Sequence, residues 1–406
     1  MLTEADAVVI GAGAFGLSAA FHLKKLGLPR VALLDRVEPA SQTSPRAAGL
    51  FRLVQASATL TRLSALSVRK MLRFEAETGS PPVATQSGSL LVARTEAHAE
   101  LIRRQAEQSR RWGIELDLVD GAEAHRLMPL FETTGVKVAC HIPDDIYVEE
   151  PASMLAGYLG AALRLGVEVS SRTTVTGIEV VGGEIRRVIT DRGEIRTPIV
   201  VDAAGPWARL VGELAGARVA VFPVRHQLFI TEPLSGVQPT YPIVRVADAA
   251  VYVRPARGGL MLGVFEQGPL PLDPRDQAPS FTSDDVPLDE SVLRRAAADV
   301  HPQVPAVDGA ALQAHRGGLF TMTADGQFIA GPVPSVRGLF ALTGCNGSGF
   351  SFAPALGQVL AEQIVGGAPS IDVTALSPAR FATHPTDEAA LQAACIHQYE
   401  RYYAAH

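Results

Sequence analysis

Cysteine is scarce: the 406 residues hold three, Cys140, Cys345 and Cys395, with no CxxC pair and no histidine at metal-ligand spacing. That excludes a disulfide framework and a thiolate metal centre, and it fits a reducing, cytoplasmic setting. Basic blocks are also missing. The 42 acidic and 36 basic residues leave a net charge of −6 with no Lys/Arg cluster, which argues against a nucleic-acid partner. No uncharged apolar run reaches the ~18 residues that span a bilayer. The first residues, Met-Leu-Thr-Glu-Ala-Asp, are acidic where a secretory signal is basic, and three glycines break the apolar stretch that follows. The expectation is a soluble, unexported protein. Hydrophobic residues make up 47% of the chain, and its length exceeds the roughly 250–300 residues at which one core stops growing, so two domains are expected.

The N-terminus reads as strand, glycine turn, helix and strand. Residues 7–10 are short, apolar and β-branched, Gly11-Ala12-Gly13-Ala14-Phe15-Gly16 follows, a helical pattern runs to Leu26, and Val31-Ala32-Leu33-Leu34-Asp35 is a second buried strand. Helical spacing returns over 62–78 and 96–112, with a strand at 88–93 between them. Pro151 opens a helix that Gly166 closes. Gly182-Gly183 suits a tight hairpin between 173–181 and 184–190. Residues 219–266 are strand-rich, 269–289 read as a surface excursion rich in Pro and Asp, and 338–364 repeat strand, glycine turn and helix. The helical pattern of 387–406 shows nothing that carries chemistry.

The glycines have separate tasks. Gly11 permits a sharp turn, Gly13 lets backbone approach a pyrophosphate, Gly16 lets helix and strand pack closely, and the helix N-terminus at Ala14 and Phe15 faces the phosphate charge. Asp35 lies 19 positions after Gly16, where a carboxylate accepts hydrogen bonds from ribose hydroxyls. FAD and NAD share this fingerprint. Two further small-residue turns favour FAD: Ala203-Ala204-Gly205-Pro206-Trp207 after a strand, and Gly344-Cys345-Asn346-Gly347-Ser348-Gly349 before a helix whose dipole stabilises negative charge.

With these motifs the chain resembles the FAD-dependent oxidoreductase family of D-amino acid, glycine and sarcosine oxidases, over about its first 383 residues. Pro223-Val224-Arg225-His226-Gln227 and Tyr252-Val253-Arg254-Pro255 look closest to the dimethylglycine and sarcosine dehydrogenase branch, here without that branch's folate domain. The resemblance implies an α/β fold: a discontinuous Rossmann-type FAD-binding domain (1–85, 150–220, 318–383), an α+β substrate domain with a mainly antiparallel sheet (86–149, 221–317), and a C-terminal helical tail (384–406). It also implies that Arg36, Ser44, Arg46, Ala48, Gly49 and Leu50 wrap the cofactor and that Val175 offers backbone to the adenine. Ala204, Gly205, Trp207 and Gly318 would approach the cofactor, and Gly347, Ser348, Gly349 and Phe350 would lie at the pyrimidine end of the flavin.

Departures from the family pattern bear on mechanism. Where the dehydrogenase branch attaches flavin to a histidine, this chain has Pro45-Arg46, and where monomeric sarcosine oxidases use a cysteine it has Gly318, so noncovalent FAD is expected. A lysine that assists oxygen reduction is matched by Met261, which leaves O₂ or another electron acceptor open. Two carboxylate anchors of relatives are replaced by Ser351 and Phe320. Arg52 and Arg316 are the remaining candidates; a guanidinium fork there serves a substrate carboxylate or a structural ion pair. His226 and Tyr252 resemble a pair that positions the amine and adjusts its protonation, with a histidine titrating near neutrality; each is also compatible with simple packing. Asp144-Asp145 and Glu149-Glu150 read as solvated loop charges, and Cys345 as a small residue in a tight turn.

The function so implied is oxidation of the C–N bond of a small secondary or tertiary amine or amino acid, with hydride passing to flavin N5 and the imine hydrolysed by water. The alternatives are another flavin oxidation on the same fold or a FAD-binding subunit of a larger oxidoreductase. Oligomeric state is left open.

Overall fold

Four consecutive buried residues, Ala7–Ile10, form the central strand of a six-stranded sheet, because an apolar run with no polar alternation has to be covered on both faces. The computed structural model describes residues 2–81, 83–382 and 387–405. On one side of Ala7–Ile10 lie Val31–Leu34 and then Glu168–Ser170; on the other lie Val200–Asp202, Leu339–Thr343 and Ile329–Pro332. All neighbours pair in parallel except the last two, which pair antiparallel. The helices Ala14–Lys25 and Gly349–Gly366 pack on this sheet and on each other, and Pro151–Arg164 packs against the first of them. Pro151 sits in the first turn of its helix, where a missing N–H costs nothing.

The hairpin expected at Gly182-Gly183 joins Val175–Val181 to Glu184–Thr190, and Gly193–Arg196 completes a small sheet. The second large sheet has eight strands in the order Leu312–Met322, Phe222–Thr231, Gly259–Val264, Val251–Ala256, Ile243–Val246, Ser89–Ala93, Val138–Ile142 and Asp117–Val119. Only Ile243–Val246 and Ser89–Ala93 run parallel, so the sheet is mainly antiparallel. Among the described residues no helix is long and apolar enough to cross a membrane.

Leu312–Met322 is one unbroken strand of the eight-stranded sheet, and its ladder to Phe222–Thr231 runs through residues 317 and 318, with Gly318 opposite His226. Several expectations need correction. Residues 269–289 are no free excursion, since Leu272, Phe281 and Val286 are buried against Leu319. Asp145 is not a solvated loop charge. Its carboxylate is fully buried, accepting from the Leu53 N–H (2.7 Å) and the Ser89 hydroxyl (2.5 Å) and pairing with the buried Arg245 guanidinium at 3.2 Å. Burial raises its pKa and Arg245 opposes that rise. Asp144 bonds Gln86, and Glu150 bonds Arg257. The helical tail is present as Glu388–Glu400 and Tyr402–Ala405; residues 383–386 and His406, within the expected domain end and tail, lie outside the described residues.

Candidate active site

The strand ends of the nucleotide sheet face the eight-stranded sheet across a cavity of about 440 Å³, within the range of small-molecule sites. At one end, Asp35 terminates Val31–Leu34. Its Oδ2 accepts from the Ala12 N–H at 2.7 Å and its Oδ1 from the Val37 N–H at 3.0 Å, so the carboxylate is fixed in orientation. Burial raises its pKa while the two N–H donors hold it down. Gly11, Gly13, Ala14 and Phe15 line the cavity beside it, and Thr173, Thr174 and Val175 face them. The helix Ala14–Lys25 has neither a side-chain cap of its own nor an acid in its first turn, which leaves its positive dipole end open to an anion. Only Ser44 reaches back, its hydroxyl oxygen accepting from the Ala14 N–H at 3.0 Å.

Gly11 and Gly16 are required for contact reasons. A Cβ on Gly11 would stand 2.5 Å from the carbonyl oxygen of Ala203, at a backbone φ of +101°, and a Cβ on Gly16 would fall on the carbonyl oxygen of Gly11. Gly16 is therefore a packing residue beneath the cradle and does not itself line the cavity. The second turn brings Ala204, Gly205 and Trp207 to the wall, with the Arg36 guanidinium 4.2 Å above the Trp207 ring. Arg36 also donates to the carbonyls of Pro279 (3.2 Å) and Phe281, while Arg46 pairs with Asp284 and the Ser283 N–H donates to Gln42 Oε1 at 2.8 Å. Segment 274–279, read from sequence as a surface excursion, thus forms part of the cavity wall.

At the other end, Ala48, Gly49, Leu50 and Arg52 meet Gly347, Ser348, Gly349, Phe350 and Ser351. The third glycine turn is pinned from behind: Asn346 Oδ1 accepts from the Thr323 N–H at 2.9 Å, and the Cys345 N–H donates to Thr321 Oγ1 at 2.9 Å. Ser351 turns its hydroxyl back onto the Ser348 carbonyl (2.9 Å). Helix Gly349–Gly366 also begins without a side-chain cap.

The eight-stranded sheet closes this end with an aromatic group. His226 stacks on Phe320 with ring centroids 4.3 Å apart, and Phe265 stacks on Tyr402 at 3.8 Å. His226 Nε2 lies 2.9 Å from the Tyr252 hydroxyl and Nδ1 lies 2.9 Å from the Tyr399 hydroxyl. Burial pushes the His226 pKa down to about 3, so the ring is neutral at physiological pH and does not titrate near neutrality as the sequence suggested. Gly318 and Arg316 line the cavity from the neighbouring strand, while Met261 is fully buried in the sheet and does not reach it.

Arg52 is 8% exposed and lines the cavity, its Nη2 3.4 Å from Ser348 Oγ and its guanidinium 4.8 Å from the Tyr402 ring centroid. No carboxylate of the described residues stands at ion-pair distance from it; the buried Asp145, paired with Arg245, lies near enough to feel its charge. Arg316 is half-buried with Glu150 at 3.7 Å, beyond hydrogen-bond length.

Sequence reasoning missed the tail. Tyr402 and Tyr403 line the cavity, Tyr399 reaches His226, and Tyr402 hydrogen-bonds Ser348 Oγ at 2.6 Å. A signal was available: three of the seven tyrosines fall at 399, 402 and 403. Arg254 was quoted only as part of a motif. Fully buried, it spends its donors on the carbonyls of Ala48 (2.8 Å), Pro255 (2.5 Å) and Glu149 (3.2 Å), tying the sheet to the segment that wraps the cavity.

The cavity suits a flavin dinucleotide by its own construction: a backbone cradle whose turns pack too closely for a Cβ at Gly11 or Gly16, an oriented carboxylate at one end, and uncapped helix N-termini toward both halves. Comparison with known proteins agrees. Mitochondrial sarcosine dehydrogenase of Mus musculus is 31% identical over 391 residues, 95% of this chain and 42% of that protein. The 4-methylaminobutanoate oxidase (formaldehyde-forming) of Paenarthrobacter nicotinovorans is 28% identical over 404 residues, 100% of this chain and 49% of that protein. The chain thus spans less than half the length of these two relatives. The crystal structure of L-proline dehydrogenase from P. horikoshii superposes with a TM-score of 0.85 at 25% identity, covering 94% of this chain and 99% of that one. The model of the FAD dependent oxidoreductase family matches residues 6–363. A match of that extent means that the chain belongs to the FAD dependent oxidoreductase family, and FAD is the cofactor its cavity is shaped to take.

Proposed function

We propose that this chain oxidises the C–N bond of a small amine that carries a carboxylate. The observation that carries the reading is Arg52: a guanidinium nine-tenths buried in the cavity wall, beside the aromatic group, with no carboxylate of the described residues at ion-pair distance and the nearby Asp145 already paired with Arg245. Burying such a charge unpaired is costly, so an anionic partner is expected from the ligand. Sarcosine, 4-methylaminobutanoate and L-proline, named for the relatives above, are each a secondary amine bearing a carboxylate.

When bound, FAD supplies the two-electron acceptor. Arg52 holds the substrate carboxylate, and Arg316 stands ready for a second polar group. Phe265, Phe320 and Tyr402 exclude water around the amine. A dry pocket with a neutral imidazole disfavours the ammonium form, which leaves the nitrogen lone pair free as the C–N bond is oxidised. The imine leaves for water, which hydrolyses it. Turnover would require O₂ or another electron acceptor.

The domain division follows the same reading: the glycine cradle and its sheet hold FAD, and the eight-stranded sheet holds the substrate. We propose noncovalent attachment. His226 has both nitrogens engaged, and burial raises the pKa of the Cys345 thiol, so neither cavity-lining nucleophile is activated. Acid precipitation should therefore leave the yellow colour in the supernatant; colour retained in the washed pellet contradicts it.

The activity is tested by anaerobic mixing of the holoprotein with secondary amino acids, their esters and NAD(P)H. Bleaching of the flavin by the amino acids is the expected result, with the His226→Asn variant slower by about 10²-fold. Bleaching by NAD(P)H alone points to a different flavin reaction, and no bleaching by any of them points to a FAD-binding subunit.

A further inference from the structure

We propose that Tyr399, on the C-terminal helix Glu388–Glu400, fixes His226 as its Nε2–H tautomer and thereby turns the Tyr252 hydroxyl proton toward the cavity. A neutral imidazole has one nitrogen that donates and one that accepts. Both nitrogens lie 2.9 Å from a tyrosine hydroxyl, so one tyrosine must donate to the ring and the other must accept from it.

The surroundings decide which. Tyr399 is fully buried; its oxygen accepts from the Glu266 backbone N–H, and among the described residues His226 Nδ1 is the acceptor within reach of its proton. If Nδ1 carried the proton, the Tyr399 O–H would be left without an acceptor in a dry site, the costlier of the two failures for a buried hydroxyl. Tyr252 lines the cavity, where a ligand can accept its proton. The polarity therefore runs from Tyr399 O–H to Nδ1, from Nε2–H to the Tyr252 oxygen, and from Tyr252 O–H to the substrate.

Tyr399 can do this only because its helix is held at both ends. Glu388 pairs with Arg209 at 2.7 Å and with Arg275 at 2.6 Å, Gln398 Nε2 donates to the Ala324 carbonyl at 3.2 Å, and Glu400 Oε1 accepts from the Gly268 N–H at 2.8 Å. The other titratable groups facing the triad are Tyr402 and Tyr403 from the tail, Arg254 from the strand of Tyr252, and the Arg225–Glu266 ion pair behind Tyr399. None lies at hydrogen-bond distance from either His226 nitrogen.

A donor hydroxyl facing the amine repels its ammonium form. Without Tyr399 the ring can release Nε2 to accept from Tyr252, whose oxygen then faces the ligand and stabilises ammonium. The tautomer stands independently of the substrate; only this consequence rests on the proposed amine oxidation.

The test is ¹⁵N NMR of histidine-labelled holoprotein, with the His226 signals assigned by their loss in His226→Asn. An unprotonated Nδ1 with a protonated Nε2 is expected, and a proton on Nδ1 overturns the proposal. In Tyr399→Phe the tautomer should switch or mix, and the pH midpoint of flavin reduction by sarcosine should rise by about one unit. An unchanged tautomer in that variant also overturns the proposal. Should the variant fail to fold, the wild-type spectrum still decides. The expected tautomer in a protein that no amine bleaches would leave this proposal standing and remove the amine-oxidation reading.

Discussion

Gly11→Ala is expected to yield a folded but colourless protein that takes up added FAD at least about 10²-fold more weakly than the wild type. The new Cβ meets backbone, not a side chain that can swing away. It would stand 2.5 Å from the Ala203 carbonyl oxygen and 2.9 Å from the Ala204 Cα, at a φ of +101° that L-residues rarely adopt. Relief requires the first glycine turn to move away from Ala203 and Ala204, which widens the cleft where both turns approach the cofactor. The backbone strain itself costs about 1–3 kcal/mol, small enough for the two sheets to persist. Gly160→Ala is the control, since its Cβ meets only the guanidinium end of Arg164 at 3.2 Å on the helix Pro151–Arg164. Visible absorbance of the purified proteins and the rise in melting temperature on adding FAD measure both. A Gly11→Ala protein as yellow as the control would show that the turn does not hold the dinucleotide.

The second large effect is expected at Arg52. Replacing it by alanine should raise KM for a carboxylate-bearing amine about 10²–10³-fold, the equivalent of the ~3–5 kcal/mol lost when one member of a buried charge pair is removed. The rate of flavin reduction at saturation should change far less, because the carboxylate contact is made equally in ground and transition states. Arg52→Lys should recover only part of the loss, since an ammonium cannot present a planar fork. Esters of the same amines should bind wild type and variant alike. If acid and ester lose equally, Arg52 shapes the pocket through its contact with the Tyr402 ring instead, and the carboxylate part of the proposed function falls while amine oxidation stands.

How much of this was legible in the sequence depends on the range of the contacts. The glycine cradle was readable because its parts lie close together along the chain: the Ala12 N–H reaches Asp35 only 23 residues away, and each glycine answers a local demand of backbone geometry. The hairpin at Gly182-Gly183 was readable for the same reason. The run 269–289 was misread because Pro and Asp report local turn preference and say nothing about what covers a turn. Its attachment runs through Arg36 and Arg46, more than 230 residues earlier. Asp145 was misread likewise, since its charge partner Arg245 is 100 residues distant. The tyrosines of the tail were passed over because a helical pattern does not say which face will be buried or against what; His226 lies 173 residues before Tyr399.

By itself the sequence determined the dinucleotide-binding strand, turn and helix, the choice of flavin through two further small-residue turns, and the side chains proposed to bind an acid and an amine. The tertiary structure alone decided how those side chains behave. Removal from water turned His226 from a neutral-pH titrator into a fixed neutral ring, left Arg52 buried in the cavity wall with no carboxylate of the described residues at ion-pair distance, and brought a C-terminal helix across the chain to the histidine. Protonation and tautomer depend on desolvation and on partners distant in sequence, and both come into being only when the two sheets and the tail close around one cavity.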